Sequence, residues 1–161
     1  TEHAPEEVQA AVDAYVALRE HIAAGDAHWT AIADLFTDDV VYIDPAWGRV
    51  EGIDGVREFL DESMQGLEDW DFPIEYVAIT GNTVVIKWDQ LLPGTRPDGS
   101  RYRQSGISTL IYAGDGKFSY EEDLLNMTHV REALAASGQR LAAGRGLHDA
   151  AGITEQDYTR R

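Results

Sequence analysis

The chain has 161 residues, no cysteine and a formal net charge of −16, with an apolar fraction of 43% and a charged fraction of 26%. These values are typical of one globular domain with a real core. They exclude disulfides and thiolate chemistry, and so acidic a surface makes nucleic acid and membranes poor partners, because both present negative charge.

The sequence shows no sign of export or membrane insertion. No apolar run approaches the roughly 18 residues that a membrane span requires. The first residues, TEHAPEEV, are acidic and lack the apolar segment of a secretory signal. We therefore predict a cytoplasmic protein.

The first part of the chain predicts helices followed by a strand. Pro5 and the two acids after it form a favourable helix start, and apolar residues then recur at helical spacing as far as Ile22. Gly25 ends this helix, and Asp26 is predicted to cap a second helix that runs to Phe36. The apolar strand VVYID at residues 40–44 follows, and a third helix is predicted after the loop AWGRVEG.

The second part is rich in strands. Residues 74–80, 83–92, 101–112 and 117–125 are β-prone runs separated by turn signals, which predicts an antiparallel meander. Residues 126–137 predict a short helix, and residues 138–161 a tail that is partly helical or mobile. Helices first and a meander afterwards indicate an α+β domain, a curved sheet with helices across one face.

Three of the predicted strands each carry a polar pair close to one end: Tyr42 with Asp44, Lys87 with Asp89, and Glu121 with Asp123. Residues two apart on a strand share a face, so these pairs would meet if the three faces converge. Charged groups in an apolar cavity are costly, and function is the usual reason to keep them. The alternative interpretation is a turn-forming Asp44, an exposed pair on an edge strand and a solvated acidic run.

Other chemistries find no support in the sequence. The five histidines are scattered, without HExxH or another paired spacing, so no metal site is predicted. The glycine-rich loops that bind nucleotides and the GxSxG turn of hydrolases are missing as well. We expect no cofactor.

Two phrases, AGDAHWTAIADLFTDDVVYIDPAWGRVEGIDGVREFL and AGDGKFSYEEDLLN, resemble the nuclear-transport-factor-like superfamily. That superfamily includes SnoaL-like polyketide cyclases, ketosteroid isomerases and limonene-epoxide hydrolases. The resemblance implies a SnoaL-like domain over residues 1–137, in which N-terminal helices pack across the concave face of a cone-shaped, curved antiparallel sheet. It implies fold more strongly than reaction, because this scaffold carries many activities.

The match to the epoxide hydrolases supplies our first functional hypothesis, epoxide opening on a hydrophobic substrate such as a terpene, polyketide or steroid. Asp123 would deprotonate the attacking water, Asp89 would protonate the leaving oxygen, Lys87 would hold the acids apart and Tyr42 would position the water. The sequence departs from that family at two positions. Lys87 replaces an arginine, and Asp44 replaces an amide.

The match to the isomerases supplies the alternative, in which Asp44 is the base for isomerisation or for aldol ring closure. Tyr15 would take the place of the family's tyrosine, and Ser108 stands where its protonated acid would be. Trp47 is predicted at the pocket mouth and Glu121 beside the substrate. A third hypothesis is a non-catalytic module that binds a ligand or forms a dimer.

The last strand also predicts an assembly. If its acids face the cavity, Phe118, Tyr120, Glu122 and Leu124 form an aromatic outer face. Such a patch usually marks an interface, so we predict a homodimer through the convex face of the sheet.

Overall fold

The computed structural model describes residues 1–140 of the chain. Its elements, in chain order, are α1 (Pro5–Ala23), a 3-10 helix (Trp29–Leu35), β1 (Phe36–Asp44), β2 (Gly48–Glu51), α2 (Ile53–Ser63), β3 (Ile74–Thr80), β4 (Thr83–Thr95), β5 (Arg101–Gly114), β6 (Lys117–Leu125) and α3 (Met127–Ser137). The predicted tail lies outside the described residues from position 141 onward. Within the described part, no helix is long and apolar enough to cross a membrane.

The six strands form one curved sheet in the order β2-β1-β6-β5-β4-β3. This confirms the predicted α+β fold and the meander from β3 to β6. One pair differs from the antiparallel expectation, because β1 runs parallel to β6. The whole meander separates these two strands in sequence, so β6 returns beside β1 in the same direction.

The core lies between the concave face of the sheet and the helices. Val8, Val12 and Tyr15 are buried along one side of α1, as the helical spacing predicts, and they pack in one cluster with Leu110 and Phe118 of the sheet. Each fully buried apolar side chain of this kind contributes about 1.5–3 kcal/mol. Packing against the helices therefore fixes which face of each strand points inward.

The segment after α1 differs from its prediction. It forms a 3-10 helix rather than an α-helix, its N-terminal cap is His28, whose Nδ1 accepts a hydrogen bond from the backbone N–H of Thr30 at 3.1 Å, and Phe36 already belongs to β1. Only seven residues separate this cap from the strand. 3-10 turns are frequent in short connectors between elements.

Phe118 does not lie on the outer face, which corrects the predicted alternation in β6. Ile111 pairs with Tyr120, but the next residue of β5, Tyr112, pairs with Phe118, so β6 carries one extra residue at Ser119. This β-bulge resets the alternation. Phe118 therefore packs inward, and Tyr120 lies on the face of β6 opposite to Glu121, where it is only 7% exposed.

The homodimer stays a prediction, and the outer face offers two large apolar side chains for it. Tyr76 and Leu124 are 50% and 55% exposed. Replacing Leu124 with Asp would place a charge in the interface, so the dimer that we expect at micromolar concentration should dissociate in sedimentation velocity. Ala10→Asp, on the exposed side of α1, is the control and should leave the dimer intact. A wild-type chain that sediments as a monomer would contradict the prediction.

Candidate active site

A cavity of about 130 Å³ lies between the helices and the concave face of the sheet. Its wall is mostly apolar and rich in aromatic side chains, which are Tyr15, Trp29, Tyr42, Trp47, Phe59, Phe72 and Trp88. A cavity of this order accommodates a single six-membered ring. The polar groups in the wall are few, so their arrangement defines the chemistry that the cavity can support.

Two carboxylic acids from β6 and two tyrosines form a buried cluster in this wall. Tyr42 is the cross-strand partner of Glu121, and Asp123 projects from the same face of β6. The hydroxyl of Tyr42 lies 2.6 Å from Asp123 Oδ2 and 3.1 Å from Glu121 Oε1. The hydroxyl of Tyr15 on α1 lies 3.3 Å from the same Glu121 oxygen. The helix and two strands thus place four polar groups at one point.

The strands β4 and β5 support the acids from the other side. Ser108 pairs with Asp123 across the sheet, and its hydroxyl donates to Asp123 Oδ1 at 2.6 Å. Trp88 of β4 donates its indole N–H to the oxygen of Ser108 at 2.8 Å. Each oxygen of Asp123 therefore has a fixed donor, which holds its carboxyl group in one orientation.

The pKa values of both acids in this pair are raised. Burial, and then the charge of Asp123, raise the pKa of Glu121 well above its usual range. Burial also raises the pKa of Asp123, although hydrogen bonds from Ser108 and Tyr42 oppose the shift. Glu121 Oε2 is buried without a hydrogen-bond partner among residues 1–140, a position that is costly for a charged oxygen and so favours the protonated form of Glu121. Two such close acids titrate as a pair.

Asp44 sits at the end of β1 and borders the same cavity. Its Oδ1 accepts the backbone N–H groups of Ala46 at 2.8 Å and Trp47 at 2.9 Å. Burial, followed by the charge of Asp123, raises the pKa of Asp44 to about 7, against the effect of the two backbone bonds. Asp44 therefore shapes the turn and also presents a carboxyl group that is close to half ionised at neutral pH. The sequence had posed these roles as alternatives.

Comparison with known proteins identifies the family. Residues 12–121 match the model of the SnoaL-like domain. The chain belongs to the SnoaL-like family. No curated protein sequence matches it.

Solved structures agree with this SnoaL-like fold. A protein from Jannaschia sp. CCS1 described as a SnoaL-like polyketide cyclase aligns with a TM-score of 0.65 and 20% identity, over 84% of this chain and 98% of that one. A protein from Kribbella flavida described as a ketosteroid isomerase gives 0.55 and 20%, over 74% and 78%. SalBIII, an epoxide hydrolase/cyclase-like enzyme of pyran ring formation in salinomycin, gives 0.56 and 17%, over 77% and 94%. At these identities the likeness shows the fold.

In this SnoaL-like chain, Lys87 and Asp89 do not join the cavity, which corrects their predicted position. Lys87 lies 3.7 Å from Asp89 and 3.3 Å from Glu75, and Arg103 also pairs with Asp89. Their neighbour Trp88 points into the cavity, and residues one apart on a strand face opposite sides. The pair therefore forms an ion-pair network on the outer face of β4.

The remaining predicted site residues all border the cavity, namely Tyr15, Tyr42, Asp44, Trp47, Ser108, Glu121 and Asp123. Trp47 packs against Phe59 with ring centroids 5.9 Å apart. Sequence reasoning missed Arg19 and Gln90, which also line the wall. A signal existed for both, since Arg19 follows Tyr15 by one helical turn and Gln90 follows Trp88 by two residues on β4. No group of three or more potential metal ligands occurs among the described residues.

The raised pKa of Asp44 predicts a pH-dependent cost in stability. Because its pKa is about 7 in the folded chain and about 3.9 in the unfolded one, the folded state keeps its proton longer, and its stability falls as the pH rises from about 4 through 7. Asn cannot ionise and can still accept the two backbone hydrogen bonds. Asp44→Asn should therefore raise the free energy of unfolding by about 1–3 kcal/mol at high pH and by much less at low pH.

Urea denaturation at about pH 5 and pH 8.5 measures this difference. Asp39→Asn, on the exposed part of β1, is the control and should show no comparable difference between the two pH values. An equal effect of Asp44→Asn at both pH values would contradict the raised pKa.

Proposed function

We propose that the chain is an enzyme without a cofactor that moves a proton beside the carbonyl group of a small, mostly apolar substrate, as in enone isomerisation or aldol ring closure. One observation carries the proposal. Asp44 and the pair Glu121–Asp123 border the same cavity, yet their surroundings differ, so one site can act as base while the other keeps a proton. Acid–base assignments of this kind follow from environments that separate pKa values.

The base in this mechanism is the second oxygen of Asp44. Its Oδ1 is held by the N–H groups of Ala46 and Trp47, which leaves Oδ2 to receive a proton from the carbon next to the substrate carbonyl. The electron pair of the broken C–H bond moves to the carbonyl oxygen and gives an enolate. Asp44 then returns the proton at another carbon, which isomerises the substrate, or the enolate attacks a second carbonyl carbon, which closes a ring.

The oxyanion of the enolate would lie against the neighbouring cluster of the two tyrosines and the acid pair. Burial raises the pKa of the Tyr15 and Tyr42 hydroxyls, so both keep their protons, which would turn from Glu121 and Asp123 to the oxyanion when the substrate is bound. Protonated Glu121 supplies a further donor. Preorganised donors in a cavity that excludes water stabilise developing charge more strongly than water does.

Epoxide opening is the second candidate, and the contact of 2.6 Å between the Tyr42 hydroxyl and Asp123 favours it. Asp123 would deprotonate a water molecule positioned by Tyr42. Because Asp89 lies outside the cavity, protonated Glu121 would have to supply the acid. This mechanism gives Asp44 no chemical step. The third hypothesis, a binding module without catalysis, requires no difference in pKa between Asp44 and the acid pair, and it predicts no turnover of any substrate.

A substrate panel separates these functions. Wild-type protein in D2O is mixed with small cyclic ketones and 1,3-diketones, and NMR follows deuterium incorporation beside the carbonyl. In parallel, it is mixed with cyclic epoxides, and diol formation is measured. The proposal expects catalysed exchange in the ketone arm. Diol formation alone would favour epoxide opening, and no reaction in either arm would contradict both enzymatic functions.

A further inference from the structure

Arg19 is a buried cation in the cavity wall that the mechanism above does not use. It lies on α1, it is 9% exposed, and it borders the cavity. Its Nη2 donates to the backbone carbonyl of Phe72 at 2.8 Å, and its guanidinium carbon lies 4.9 Å from the centre of the Trp29 ring. A guanidinium group has five N–H donors, of which one goes to the Phe72 carbonyl and another faces the hydroxyl of Tyr15, so the others remain available to a ligand.

No carboxylate neutralises this cation by direct contact. Among residues 1–140, the guanidinium of Arg19 forms no ion pair within 4.0 Å. Glu121 and Asp123 lie at longer range, and their raised pKa values reduce the negative charge that they offer. Burying a cation without a contacting counter-charge is costly, and a ligand that brings the counter-charge would offset this cost.

Gln90 provides a second polar group on the same side of the cavity. It is 6% exposed, it borders the cavity, and its Oε1 has no hydrogen-bond partner among the described residues. The bridge between Asp71 and Leu91 sets Gln90 opposite Phe72, whose carbonyl accepts the hydrogen bond from Arg19. Oε1 is an acceptor, so Gln90 would meet a carboxylate through the N–H groups of its amide, beside the guanidinium of Arg19.

We propose that Arg19 and Gln90 form a subsite for a carboxylate of the substrate. In the sheet order, β6 and β5 separate β4, which carries Gln90, from β1, which carries Asp44. The carboxylate is therefore bound on the side of the cavity away from the base. The inference deepens the proposed function, on which it rests, by naming the substrate class as small carbonyl compounds that also carry a carboxylate. Arginine suits this role because its planar fork matches the two oxygens of a carboxylate.

A structural role for Arg19 is the alternative, in which it only joins α1 to the segment before β3 through the carbonyl of Phe72. The two roles differ in a binding experiment that needs no turnover. The probes are benzoate and benzamide, because they share one shape, fit a cavity of this size and differ in charge. Isothermal titration calorimetry measures both dissociation constants at about pH 7.5, where benzoate is ionised.

Wild-type protein should bind benzoate at least about tenfold more tightly than benzamide, a ratio typical of one charge-assisted pair. Arg19→Gln should reduce this preference to about twofold or less, and Arg19→Lys should retain part of it. Arg57→Gln is the matched control, since Arg57 pairs with Asp34 on the surface outside the cavity. It removes the same charge and should leave the preference unchanged.

Equal or tighter binding of benzamide by wild-type protein would overturn the subsite, as would no binding of either probe up to about 10 mM. An unchanged preference in folded Arg19→Gln would do the same. If circular dichroism shows that Arg19→Gln does not fold, Gln90→Leu is used to test the subsite instead. Its affinity for benzoate should fall by about threefold or more, and its affinity for benzamide should change little. Because the binding experiment does not measure catalysis, its outcome is independent of the ketone exchange assay. The subsite proposal can fail while the proposed function holds, and the proposed function can fail while the subsite proposal holds.

Discussion

Replacing Asp44 with Asn is expected to lower the rate of proton exchange at a substrate carbon by at least about a hundredfold, the usual scale for a lost general base. Asn has nearly the same shape and can accept the same N–H groups of Ala46 and Trp47, so the turn should survive. It cannot take a proton at neutral pH. Steady-state kinetics on the most active ketone of the panel, with circular dichroism as the check on folding, measures the effect.

Asp123→Asn is the comparison that separates the two enzymatic candidates. In proton transfer it weakens the cluster beside the base, and we expect a loss of about ten- to a hundredfold. In epoxide opening it removes the base, so diol formation should stop, whereas Asp44→Asn should preserve it. Full activity of both variants in both assays would leave neither mechanism standing.

The second large effect is expected at Gly106, a residue without chemistry of its own. Gly106 is the cross-strand partner of Trp88, and a Cβ built on it would overlap the indole ring, with Cε2 at 2.7 Å. Gly106→Ala must therefore push Trp88 out of place, which costs about 1–3 kcal/mol by overpacking. It should also break the hydrogen bond from Trp88 to Ser108, which orients Asp123.

Urea denaturation measures the loss of stability, and the exchange assay measures the accompanying loss of rate. Gly55→Ala is the matched control. Its added Cβ would meet only the Cγ1 atom of Val50 at 3.3 Å, and Gly55 lies in α2, where Ala is favoured by up to about 1 kcal/mol. A Gly106→Ala protein as stable and as active as wild type would show that Trp88 does not position the site.

The sequence predicted the parts of the site that depend on alternation within one strand. Tyr42 with Asp44, and Glu121 with Asp123, share a face because the side-chain period of a strand is two. The apolar residues around them indicated that this face is buried. The rule covers these four of the seven predicted residues that border the cavity; Tyr15 lies on a helix and Trp47 in the turn after β1.

Alternation alone does not say which of two faces points inward, and this is why Lys87 and Asp89 were misplaced. In β4 both faces carry apolar residues, so the choice depends on what packs against the strand. Ile86 and Trp88 fill the core, and the charged pair is left outside. The inner set of β4 is the more apolar one, and that difference was a usable signal.

Phe118 and Arg19 show two further limits. The bulge in β6 depends on the pairing with β5. No residue of β6 predicts it when the strand is considered alone. Arg19 lies one turn after the buried Tyr15, but an arginine is exposed in most proteins, and the Phe72 carbonyl and Trp29 make it a buried cation here. Both features arise from contacts between elements, within the β5–β6 hairpin for Phe118 and between α1 and the Phe72 segment for Arg19.

The central claim is that Asp44 is a base poised near neutral pH beside an acid pair that keeps a proton. Carboxyl 13C NMR of the labelled protein between about pH 3 and pH 9 tests it most directly, because each carboxyl signal reports its own ionisation. We expect one aspartate signal to titrate near pH 7 and to be missing from the Asp44→Asn spectrum, while the glutamate signal that is missing from a Glu121→Gln spectrum stays protonated at pH 7. An Asp44 signal that titrates near pH 4, its value in an unfolded chain, would contradict the account.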